Sequence, residues 1–201
     1  MKTPDLIIFD LGRVLVDFDF RKVVQGLQRY SPLTENEIRL HFMQTPLWDT
    51  FERGGIEPKD FFQDLSKHLH LENLTFKAFA PLWNSIFTEK HDTVSILHRL
   101  RGRYRIALLS NVNVMHWDHI METHDFMQWF DHPIASFAVG QRKPDLDIYR
   151  TTLHAAGVAP PQALFIDDVE AHVLAARSLG IRAHQFIDAR QLIRDLDGIL
   201  E

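Results

Sequence analysis

Four short apolar runs constrain this chain more than any other feature. Each ends at a polar residue: Leu6–Phe9 before Asp10, Ile106–Leu109 before Ser110, Ile134–Ala135 before Ser136, and Ala163–Ile166 before Asp167. Runs that are apolar at every position belong to strands buried on both faces, as in a parallel sheet. Helical patterns separate the later runs. Asp92 is placed to cap a helix carrying Val94, Leu97 and Leu100. Pro144 suits the first turn of a helix carrying Ile148, Tyr149, Leu153 and Ala156, which Gly157 can end. Val173, Ala176 and Leu179 share one face of another helix, closed by Gly180. A strand around Ala183–Phe186 and a last helix to Leu200 complete the set. The alternation predicts an α/β fold: a doubly wound, mainly parallel Rossmann-like sheet that binds ligands at the polar ends of its strands.

One region breaks the alternation. From about Asp17 to about Phe87 the sequence reads as helices without a convincing strand. Asp19 can cap a helix with Val23, Val24, Leu27 and Tyr30; Thr34 to Glu37 form a capping box; Pro58 starts a helix with Phe61, Phe62, Leu65 and Leu69. Leu82, Trp83, Ile86 and Phe87 suggest a fourth helix. The expected division is therefore an α/β core of residues 1–16 and 88–201 with a small all-helical cap, residues 17–87, inserted after the first strand. Both ends of the insertion emerge at the ligand-binding edge, so the cap should lie over it. Its many aromatics read mainly as cap core.

Composition narrows the functions. With 45% hydrophobic residues among 201, the chain can bury a substantial core. A net charge of −5 argues against nucleic acid as the main partner, because phosphate backbones demand a basic footprint. The absence of cysteine removes disulfides, thiolate metal sites and a thiol nucleophile. No apolar run approaches the ~20 residues that span a bilayer, and no secretion signal opens the chain, so a cytoplasmic location is the expectation. Neither nucleic acid nor membrane is the expected partner, while a small phosphorylated substrate needs only a local positive site and stays open; no residue pattern bears on oligomeric state.

At the strand ends the sequence offers Asp10, Ser110 with Asn111, Lys143, and the pair Asp167-Asp168. A carboxylate can accept a phosphoryl group covalently. Mg²⁺ prefers oxygen ligands, usually one or two carboxylates with substrate oxygens and water. A lysine and fixed donors offset charge on the equatorial oxygens. Each piece alone has a plainer reading as a turn, a cap or a surface lysine; their order across four strand ends is the specific signal.

In that order the chain resembles the haloacid dehalogenase-like superfamily of hydrolases over essentially its whole length. The carrying motifs are FDLGRVLVD at Phe9–Asp17, LLSN at Leu108–Asn111, GQRKPDLDIY at Gly140–Tyr149 and FIDDVEAHVLAARSLGI at Phe165–Ile181. The helical insertion is similar to the superfamily's small α-helical cap. The first motif reads FDLG rather than FDLD, the second continues as SNxNxxH to His116, and FERGGIEPKDFF at Phe51–Phe62 resembles an ExGxI segment. These features resemble a subgroup that includes an α-glucose-1-phosphate phosphatase. The resemblance implies Asp10 as nucleophile, Ser110 and Asn111 as phosphate-binding residues and Lys143 as orienter of nucleophile and phosphate. It implies Mg²⁺ held by Asp10, the carbonyl of Gly12, Asp168 and Asp167 beside it.

Gly12 stands where the family carries a second aspartate. Its carbonyl can still face a metal, but it has no side chain to protonate the leaving oxygen. Losing a positioned acid–base typically costs ~10²–10⁴ in rate. Substrates whose leaving group departs without full protonation should then be favoured: anomeric, acyl and aryl phosphates over simple alkyl phosphates. His116 and Asp17 are candidate replacement acids, Arg13 a candidate contact to phosphate or cap, and His172 occupies a position where many relatives carry Asp or Asn. His116, His119 and His124 are too sparse a set to predict zinc. The expected function is Mg²⁺-dependent phosphomonoester hydrolysis. The alternatives are a metal-free dehalogenase, against which the paired aspartates argue, and a weakened binding or regulatory protein.

Overall fold

The computed structural model describes residues 3–197. Among the described residues there are seven strands: β1 Leu6–Phe9, β2 Val16–Phe18, β3 Phe87–Glu89, β4 Arg105–Ser110, β5 His132–Ala135, β6 Ala163–Asp167 and β7 Arg182–Gln185. The helices are α1 Arg21–Gln28, α2 Glu35–Gln44, α3 Leu47–Glu52, α4 Pro58–His68, α5 Phe76–Asn84, α6 His91–Leu100, α7 Val114–Thr123, α8 Ser136–Val139, α9 Leu146–Ala156, α10 Glu170–Ser178 and α11 Ala189–Asp197. Leu200, the expected end of the last helix, lies outside the described residues. Among those residues no helix is long and apolar enough to cross a membrane.

Five strands form one parallel sheet in the order β5-β4-β1-β6-β7. All four residues of β1 are fully buried, as its unbroken apolar run requires. Alternation sends Ile7 and Phe9 to one face, against α6 and α11, and Leu6 and Ile8 to the other, against α9 and α10. Helices cover both faces, so the sheet is doubly wound. The strand order reverses beside β1, between β1 and β6, where a ligand crevice opens in such sheets.

The five helices α1–α5 share a separate apolar cluster that includes Val23, Leu27, Phe51, Phe61, Phe79 and Trp83. Thr34 forms the expected capping box with Glu37, and Pro58 occupies the first turn of α4. Several starts shift by a residue or two. Asp19 accepts from the Arg21 amide at 3.1 Å two residues before the first residue of α1, Asp92 lies inside the first turn of α6, and α9 begins at Leu146, after Pro144. The stretch read as strand-free opens and closes on two strands, β2 and β3, paired antiparallel with Asp17 opposite Thr88. Three-residue strands carry too short an alternation to show in sequence. This ribbon ties the two mouths of the helical segment to the sheet.

Candidate active site

Strand register brings the acids together. Phe9 pairs with Ile166, so Asp10, one residue on, lies beside Asp167 across adjacent parallel strands. Alternation points both toward the face covered by α9. Lys143 reaches that point from the loop before α9. Its Nζ lies 2.6 Å from Asp10 Oδ1 and 2.7 Å from Asp167 Oδ2. Lys143 is 2% exposed and Asp167 is fully buried.

Asn111, at the end of β4, fixes the lysine loop. Its Oδ1 accepts from the Lys143 amide at 2.8 Å and its Nδ2 donates to the Lys143 carbonyl at 2.9 Å. The side chain expected to bind phosphate is therefore engaged with Lys143's backbone, which leaves its main chain for that role. Ser110 beside it is buried and lines the same cavity as Gly12.

The charges do not balance within the protein. One ammonium serves two buried carboxylates, and Asp168 adds a third. Burial and the neighbouring Asp167 push Asp10 up to about 7, although Lys143 opposes the shift. Burial also acts to raise Asp167, but Lys143 and His172 prevail and hold it at about 2. The Lys143 ammonium is raised by the same two carboxylates despite its burial, and Asp168 is raised by burial and by Asp167. Ligand atoms of Asp10, Asp167 and Asp168 lie within 4.8 Å of one another, and this is the one such group of acid, histidine or cysteine ligands among the described residues. An all-oxygen donor set with a surplus of negative charge fits a hard divalent cation such as Mg²⁺. The histidines at 116, 119 and 124 form no such group.

The residues left open in sequence have definite partners. His172 Nδ1 lies 3.0 Å from Asp167 Oδ1, and Tyr149 donates from its hydroxyl to the His172 carbonyl at 3.0 Å. Arg13 pairs with Asp17 and lies over the Phe18 ring, 4.3 Å from its centroid, so each is occupied by the other's neighbourhood. His116 is buried. Its backbone amide donates to Asn113 Oδ1 at 3.0 Å, which turns the Asn113 amide nitrogen toward ring Nδ1, also at 3.0 Å. The proton therefore sits on Nε2 and is donated to the Trp83 carbonyl at 3.2 Å. Burial lowers this imidazole to about 3, so it is neutral at physiological pH and supplies no acid.

A second network joins the helical segment to the sheet and gives no motif in sequence. Arg142, next to Lys143, reaches Asp49 Oδ1 at 2.7 Å and the buried Glu52 Oε2 at 2.8 Å. Arg53 pairs with Asp145 at 2.9 Å. Ser136 Oγ donates to the Glu52 carbonyl at 2.6 Å and accepts from the Val112 amide at 2.9 Å. Gly54 passes so close to α8 that an added Cβ would fall 2.3 Å from the Phe137 carbonyl oxygen, at a φ of +70° that also favours glycine. Gly54→Ala is expected to lower unfolding free energy by about 2 kcal/mol or more, read by denaturant titration, since both the clash and the backbone oppose it.

The sequence profile described as Haloacid dehalogenase-like hydrolase matches residues 7–185. The chain is 28% identical to a D-ribitol-5-phosphate phosphatase from Bacteroides thetaiotaomicron, over 89% of this chain and 90% of that protein. It is 26% identical to a sesquiterpene phosphatase from Aspergillus oryzae, over 87% and 85% respectively. A haloacid dehalogenase family enzyme from Bacteroides thetaiotaomicron, solved with magnesium and inorganic phosphate, shares the fold with a TM-score of 0.82 at 23% identity, covering 95% of this chain and 100% of that one. The chain belongs to the haloacid dehalogenase-like hydrolases.

Proposed function

We propose that the protein is a Mg²⁺-dependent phosphomonoesterase for a small phosphorylated metabolite, acting through a phosphoryl-aspartate on Asp10. The observation that carries this reading is the Lys143 ammonium bridging Asp10 at 2.6 Å and Asp167 at 2.7 Å at the switch point of the sheet. Lys143 holds one oxygen of Asp10 in place and leaves the other to attack phosphorus. The bond from phosphorus to the substrate oxygen breaks, and the alkoxide or aryloxide leaves with the electron pair and takes its proton from solvent. Water then attacks the acyl phosphate, freeing inorganic phosphate and restoring Asp10. Ser110 and the main chain at Asn111 would hold phosphate oxygens. Asp10, the Gly12 carbonyl, Asp167 and Asp168 would hold Mg²⁺, which when bound neutralises phosphate charge. His172 and Lys143 keep Asp167 ionised for that purpose.

Residues 17–87 act as the cap, with 1–16 and 88–201 as the catalytic core. The relatives act on substrates as different as a polyol phosphate and a terpenoid phosphate, so the sugar phosphate suggested by the sequence subgroup is narrower than they support. A dehalogenase reading would bring a carboxylate substrate to three acids sharing one lysine, which is electrostatically unfavourable. EDTA separates the two: phosphate release from aryl phosphate should stop, and Mg²⁺ should restore it.

Gly12 sets the leaving-group dependence. With no acid beside the leaving oxygen, kcat/KM should fall steeply as leaving-group pKa rises through a series of aryl and alkyl phosphates. Gly12→Asp should flatten that slope and raise alkyl phosphate turnover by roughly tenfold or more. A Cβ at Gly12 would meet only the edge of the Phe18 ring, at 3.1 Å, so the new side chain requires a small shift of that ring.

A further inference from the structure

We propose that the leaving group of the substrate is an apolar unit about the size of one ring, an aryl or comparable hydrocarbon monophosphate rather than a polyol phosphate. This rests on the reading of Asp10 as phosphoryl acceptor and adds what that reading leaves open. A cavity of about 100 Å³ opens beside the phosphate loops. Gly12, Ser110 and Asn111 line it together with the aromatic rings of Phe18, Phe20, Trp48 and Phe87. A substrate whose phosphorus faces Asp10 would direct its organic part into this space.

The cavity's two other ionisable side chains, Glu52 and His116, face partners within the protein. Glu52 is ion-paired with Arg142 at 2.8 Å. His116 has both ring nitrogens bonded, to Asn113 and to the Trp83 carbonyl, and its ring stacks on Trp83 with centroids 5.3 Å apart. Hydroxyls of a sugar or polyol would give up water here and find, beyond the phosphate loops, only the Glu52 carboxylate, so most would go unpaired, which costs more than the contacts return. An apolar ring would displace water that the aromatic wall holds poorly. An apolar cavity of roughly 150 Å³ accommodates benzene, so this smaller one, open toward the phosphate loops, limits the unit to one ring at most and excludes a long chain. The glycine at position 12 points the same way, because a phenolate leaves without the acid that an alkoxide needs.

Three substrates separate the possibilities. Cyclohexylmethyl phosphate and ribitol 5-phosphate both release primary alkoxides, so their ratio reads polarity and not leaving-group strength. Acetyl phosphate, small and activated, reports phosphoryl transfer itself. With Mg²⁺, kcat/KM for cyclohexylmethyl phosphate is expected to exceed that for ribitol 5-phosphate by about 100-fold. Calorimetry should show benzylphosphonate, which cannot turn over, binding at least about tenfold more tightly than methylphosphonate. Acetyl phosphate turnover that depends on Asp10, together with equal or better use of ribitol 5-phosphate, overturns this inference and leaves the phosphatase reading standing. Acetyl phosphate turnover indifferent to Asp10→Asn overturns both.

Discussion

Asp10→Asn should lower Mg²⁺-dependent hydrolysis of phenyl phosphate by about 10⁴-fold or more, equivalent to roughly 5 kcal/mol of barrier. The substitution keeps the shape of the side chain and removes the oxygen that attacks. Folding should not suffer. In the wild type, Asp10 and Asp167 compete for one ammonium in a buried site, and Asp10 is raised to about 7. A carboxyl whose folded pKa lies above its unfolded value stabilises most below the unfolded value, and stability falls as pH rises through the folded one. Without metal, Asp10 therefore makes the wild type lose stability between about pH 4 and about pH 7. Asn removes that titration and leaves Lys143 paired one-to-one with Asp167. Thermal unfolding in EDTA should then show the variant at least as stable as wild type at pH 7, with a flatter profile below it. Retained activity would remove Asp10 from the nucleophile's role; a cooperative loss of structure would contradict the charge reasoning.

The site was legible in sequence to the extent that strands write it. Apolar runs fix where β1, β4 and β6 end, so Asp10, Ser110 and Asp167 follow from local pattern. Lys143 needed the motif as a whole, because no periodicity places a loop lysine between two acids 24 and 133 positions away. The supporting contacts were not readable. Asn111 grips the backbone of a residue 32 positions distant, and Arg142 reaches Asp49 from 93 positions away. Such pairs depend on how loops pack once the sheet exists, and neither partner's neighbours in sequence mark it. The ribbon β2/β3 was missed for a different reason: three residues are too few to display a period. His116 shows what position in the sequence leaves open. A histidine near the second motif invites a catalytic role, yet its surroundings are aromatic rings and two satisfied hydrogen bonds.

Lys143→Met should be the most destabilising single change at this site in the absence of metal. Methionine fills similar volume, so little packing is lost, and the effect isolates charge. Two carboxylates, one fully buried and one nearly so, would lose the cation that lies within 2.7 Å of both. Stranding a buried charge typically costs about 3–5 kcal/mol. For a chain of this length that corresponds to a fall in melting temperature of about 10 °C. The sign with pH follows from the same carboxylates. Without the lysine, Asp10 rises further above its unfolded value and Asp167 loses the cation that holds it low, so the deficit is fully expressed at pH 8 and shrinks as pH falls and a proton takes the cation's place. Added Mg²⁺ should recover part of the stability, since it supplies positive charge to the same oxygens, while phosphate release stays low because Asp10 is no longer held for attack. Calorimetric melts at pH 5 and pH 8, each with EDTA and with Mg²⁺, test all four corners. Equal melting temperatures for variant and wild type at pH 8 in EDTA would mean that the ammonium contributes nothing to holding these acids in the fold.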